Sequence, residues 1–120
     1  AMRGLGLGLI VFTLAACGGA NTLLRSQVDP GHIVVVGIEG RRVIIQNLGS
    51  STLELRRRAP TGEVVGTSTL APHQIYETVA HRKGAVEILN RSRGAVPYRV
   101  EAVASEDGVA RVIILGDREL

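Results

Sequence analysis

The chain has 120 residues, room for one small domain, with 45% hydrophobic residues, a mean hydropathy of +0.21 and a net charge of +3. That composition excludes a disordered charged tail, and a single cysteine excludes an intrachain disulfide. Two tyrosines, one phenylalanine and no tryptophan leave little with which to stack bases or sugars, which argues against nucleic-acid and carbohydrate modules.

In chain order, Arg3 supplies a short positive region, and residues 4–16 are uncharged and mostly apolar. That is the length of a signal-peptide core and short for a membrane span. Leu14-Ala15-Ala16-Cys17 closes the segment, and Gly18-Gly19 follow. The pattern resembles the lipobox of bacterial lipoproteins. The resemblance implies cleavage after Ala16 and transfer of a diacylglyceryl group to the Cys17 thiol, with palmitate-type chains holding the protein to a bilayer. Each buried methylene contributes about 0.8 kcal/mol, so two or three chains anchor firmly. An alternative keeps the segment intact: no charge falls between Gly4 and Leu24, enough for one hydrophobic span over 4–24. Either way the domain is expected in the bacterial cell envelope, membrane-anchored and facing the periplasm. By analogy, Gly18 differs from the Asp that retains some lipoproteins at the inner membrane, which leans towards the outer one. The expected organisation is a signal or anchor over 1–16, a lipidated linker over 17–31 and a β-domain over 32–120.

Beyond Asp29-Pro30-Gly31, a turn, short β-type runs alternate with turn residues. They are His32–Ile38, Arg42–Asn47, Thr52–Arg58, a Thr-rich run over 63–70, Gln74–Ala80, Ala85–Asn90, a cleanly alternating run from Val96, and Val109–Leu115. About eight strands at this spacing, without a helical period, predict an all-β fold: a single antiparallel β-sandwich. From Arg42 onward, VIIQNLGSSTLEL, LAPHQ, VEILNRS and YRVE resemble the immunoglobulin-like domains of bacterial envelope proteins, with His73 in place of the usual turn glycine. The resemblance implies fold, not function.

No chemistry stands out. The histidines are His32, His73 and His81, without a paired spacing for metal, and no nucleophile elbow is present. No enzyme activity, cofactor or metal is expected. Basic residues cluster instead: between Arg41 and Arg99 ten basic residues stand against four acidic ones. Arg41, Arg42, Arg56, Arg57, Arg58, Arg82 and Lys83 are the candidates for contact with an acidic partner or anionic lipid. Alternation sets Arg57 in register with the inward Leu53 and Leu55, so the strand is expected to end by Arg56, leaving the triplet at a sheet end. The reading that follows is a non-catalytic accessory or structural lipoprotein docking on a larger envelope complex. The alternatives are a small-ligand or lipid carrier using the sandwich interior, and an uncleaved single-span subunit.

Overall fold

The computed structural model describes residues 21–80 and 84–120, and the backbone of 11–13. Among them the chain forms ten strands and no helix, so no helix there is long and apolar enough to cross a membrane. The strands are β1 (Val11–Thr13), β2 (Thr22–Val28), β3 (His32–Glu39), β4 (Arg42–Asn47), β5 (Leu53–Arg58), β6 (Val64–Leu70), β7 (Ile75–Val79), β8 (Ala85–Asn90), β9 (Val96–Val103) and β10 (Arg111–Glu119). One sheet runs β1-β2-β9-β4-β7 and the other β10-β3-β8-β5-β6, all pairs antiparallel.

The all-β sandwich expected from the alternation is present, and each of the eight expected runs is a strand within a few residues of its expected bounds. Two expectations are corrected. Residues 22–28, expected as linker, form a strand paired along its whole length with β9, with Leu24 and Val28 fully buried. Thr22, Leu24, Ser26 and Val28 face inward in alternation with the exposed Arg25 and Gln27, a pattern that the polar Thr22 and Ser26 hide in the sequence. The strand order also departs from the immunoglobulin type, in which consecutive strands share a sheet more often. Here β2-β9-β4-β7 faces β3-β8-β5-β6, the two interlocked Greek keys of a jelly roll, with β10 added beside β3 and β1 beside β2.

The core lies between the sheets. Val34 and Val36 from β3, Ile45 from β4, Leu55 from β5, Ile88 from β8 and Val100 from β9 are all essentially excluded from water. Two buried asparagines close the crossings from one sheet to the other. After β4, Asn47 accepts the Gly49 N–H (2.8 Å) and donates to the carbonyls of Ser51 (2.7 Å) and Leu70 (2.9 Å). After β8, Asn90 accepts the Ser92 N–H (2.9 Å) and donates to those of Gly94 (2.8 Å) and Val28 (2.8 Å). Each side chain thus satisfies its own turn and also grips a strand end that the turn does not contain.

Candidate functional site

The basic residues singled out from the sequence do not gather on one face. Arg41 is exposed at the end of the sandwich and borders an open depression of mixed charge with Glu39, Glu106, Asp107 and Arg111. Arg42 pairs with Glu77 across β4 and β7 (2.6 Å). Arg82 and Lys83 lie outside the described residues, as do His81 and the lipobox residues Leu14, Ala15, Ala16 and Cys17.

The strand does not stop by Arg56; the arginine triplet forms its last three residues. β5 continues through Arg58, pairing with β8 on one side and β6 on the other. Arg56 and Arg58 project outward and converge on Glu87, at 3.0 and 2.8 Å. Glu87 is only 4% exposed, so the two guanidiniums compensate a carboxylate held out of water. Arg57 does face inward, as its register requires, and the sheet tolerates it because the opposite residue on β6 is Gly66. A Cβ on Gly66 would stand 2.5 Å from an Arg57 terminal nitrogen; the absent side chain leaves a channel for the guanidinium. Arg57 then lines a cleft at the end of the sandwich with Ile38, Val43, Thr78 and Val86. The cleft leaves about 20 Å³ to a water-sized occupant, close to one water molecule and far below a small-molecule pocket.

Two other features are more distinctive. The first is the side of the sandwich bounded by β6 and β7, each the outer strand of its sheet. Neither has a neighbour there among the described residues, and Val64, Val65, Ile75 and Val79 are exposed along it. β6 (VVGTSTL) carries no charged residue, the usual protection of an edge. Both edges carry a register shift, β6 at Val65 and β10 between Ile114 and Gly116, but only the β10 edge adds charge, with Asp117, Arg118 and Glu119 after its shift.

The second is a polar corner where β3 begins and β10 ends. His32 Nδ1 lies 2.8 Å from Asp117 Oδ1, and Asp29 in the preceding turn completes a trio whose nitrogen and oxygen atoms all lie within 4.8 Å of one another. Behind them Tyr98 on β9 is fully buried, and its hydroxyl has no hydrogen-bond partner of good geometry, although Ser26 lies opposite on β2. Burial pushes the Tyr98 phenol up to about 12; the Ser26 hydroxyl works against this and the Asp117 charge adds to it. Sequence reading missed this corner because it searched for ligands close in the chain, whereas pairing β10 with β3 brings Asp117 to His32 across 85 positions.

No family model and no curated protein matches the chain. Among solved structures it is similar to procruciferin, an 11S globulin from Brassica napus, with a TM-score of 0.56 and 11% identity over 80% of this chain. The match spans 23% of that globulin's length, and at this identity the two proteins share a fold and nothing further is carried across.

Proposed function

We propose that this protein is a membrane-anchored lipoprotein of the bacterial envelope that works without catalysis, as an accessory subunit docking on a larger complex through the β6 edge. The anchor part rests on Leu14-Ala15-Ala16-Cys17 at the end of an uncharged apolar segment. The docking part rests on one structural observation: β6 is an outer strand without charge or cover, its one register shift lies near its start at Val65, and Val64, Val65, Thr67 and Thr69 are exposed along it. An edge of that kind can extend its sheet by one strand from a partner, main chain to main chain. The arginines give less support to docking, since Arg42, Arg56 and Arg58 already pair within the chain. The narrow interior cleft gives little to the ligand-carrier alternative.

Two substitutions test the two parts separately. Cys17→Ser expressed in a bacterial host should lose the diacylglyceryl mass and move the protein from the membrane to the soluble fraction. Unchanged mass and location would remove the anchor. Thr67→Lys with Thr69→Lys places charge on exposed β6 positions and should abolish a stoichiometric cross-linked partner while leaving the anchor and the fold intact. A partner retained at full yield would place docking elsewhere.

A further inference from the structure

Arg57 is the member of its triplet that pairs with no acid among the described residues. Arg56 and Arg58 project outward and share Glu87. Arg57 points the other way, into the space between the sheets, and its Nε is out of water without a hydrogen-bond partner. None of the described residues lining the cleft beside it is acidic. A guanidinium keeps its charge at any ordinary pH, so losing a proton offers no relief. An arginine that only rests its stem on a core carries its head into solvent. Here the inner nitrogen of the head is enclosed.

Gly66, directly opposite on β6, fixes where the charge goes. The position that a Gly66 Cβ would take lies 2.5 Å from Arg57 Nη2, 3.1 Å from Cζ and 3.2 Å from Nε. The guanidinium therefore lies over Gly66, one strand out from its own backbone, towards the side where β6 has no neighbour among the described residues. Residues directly opposite one another in a sheet share a face, and neighbouring strands stand about 4.8 Å apart. A strand added to β6 would set one residue beside Gly66 with its side chain on the face that Arg57 occupies. No Gly66 side chain stands between the two, so they meet. The register of β6 is regular from Gly66 to Leu70, past the shift at Val65, so an added strand stays in phase there. The next inward positions, half-buried Ser68 and buried Leu70, bring no charge.

We propose that Arg57 sets the specificity of the docking edge by receiving the carboxylate of an aspartate or glutamate side chain, carried on the partner's strand at the position opposite Gly66. The inference rests on the docking reading of β6 and adds the partner's chemistry to it: an extended segment with one acidic residue there and uncharged residues opposite Ser68 and Leu70. The carboxylate matches the guanidinium in charge and in its planar fork. Glycine at position 66 lets the charge reach past the edge strand while the edge backbone stays free to pair.

The test uses the full chain in detergent micelles and a short blocked fluorescent peptide. The peptide alternates threonine with valine, has glutamate in place of the central valine and ends in a lysine on each side; a second peptide has glutamine at the centre. Anisotropy titration should show the glutamate peptide binding about tenfold more tightly, the size of one charge-assisted pair. Arg57→Gln should bring the glutamate peptide down to the affinity of the glutamine peptide. Thr67→Lys with Thr69→Lys should weaken both peptides alike. If Arg57→Gln loses the β-type circular dichroism, Arg57→Met, which keeps the packing of the stem, carries the same comparison. Equal affinity of the two peptides for the unmodified protein, or a preference for glutamate that survives in a folded Arg57 variant, would overturn the role of Arg57 and leave edge docking standing. Binding of neither peptide at millimolar concentration would overturn both.

Discussion

Asn47 and Asn90 do the same work at two crossings, and no other side chain could replace them without loss. The amide must both donate and accept, so aspartate fails at the donor and alanine at both. Asn47→Ala leaves the Leu70 and Ser51 carbonyls and the Gly49 N–H without their partner. The expected cost is about 2–4 kcal/mol in urea unfolding, with Asn47→Asp no milder. His73 shows the opposite case. Its φ is +66°, in the left-handed region, at the third position of the Ala71–Gln74 turn, closed by the Gln74 N–H to the Ala71 carbonyl at 3.0 Å. Since non-glycine residues pay for that conformation, His73→Gly should raise stability by up to about 1 kcal/mol in the same assay. Tyr98 sets an alkaline limit. With the folded phenol at about 12 against 10 when unfolded, its contribution is fully present below pH 10 and is lost as pH rises from 10 to 12. That loss is of order 2–3 kcal/mol. Following unfolding together with tyrosinate absorbance should show it, and Tyr98→Phe should flatten it.

At the scale of elements, the strands that the sequence displayed well are those whose alternation was unbroken. β9 is the clearest: Val96, Tyr98, Val100 and Ala102 are buried, with less buried residues between them. β2 was illegible because its inward positions include Thr22 and Ser26, and because Arg25 beside an apolar leader reads as an ending rather than as a strand exterior. β5 was cut short for a sound reason, since an arginine in register with Leu53 and Leu55 contradicts a packed interior. The contradiction is resolved by a residue on another strand, Gly66, which no local pattern connects to Arg57. Gly66→Ala is therefore expected to push aside the flexible end of Arg57 and to cost no more than about 1 kcal/mol, below the usual range for overpacking a rigid core. Melting and hydrogen exchange on β6 would check it. Glu87 was similarly hidden, for nothing near it in the chain announces two arginines. Glu87→Ala should cost about 2 kcal/mol. That is less than for a fully buried pair, because each arginine side chain keeps 32% of its surface in water.

Across the whole molecule, the ladders join the two halves of the chain at long range: β2 pairs with β9, and β3 lies between β8 and β10. The core is legible as a list of apolar positions, yet the partner of each strand is not, because alternation fixes which face is inward and says nothing of which neighbour lies alongside. Removing residues 105–120 deletes β10 and strips one side of β3, so the shortened chain should lose cooperative unfolding by circular dichroism; retained cooperativity would show that β10 is an accessory strand. The arrangement also bears on how the protein comes to exist. A growing polypeptide that has reached only the seventh strand has no mate for its third and only the three-residue β1 for its second, so both sides of β3 and the β9 side of β2 wait on residues not yet made. Stable structure must therefore arrive late, after synthesis is almost finished, and slowly, as expected where so much closure is nonlocal. Until then the chain stays extended and threadable, the condition in which a polypeptide can pass through a narrow pore.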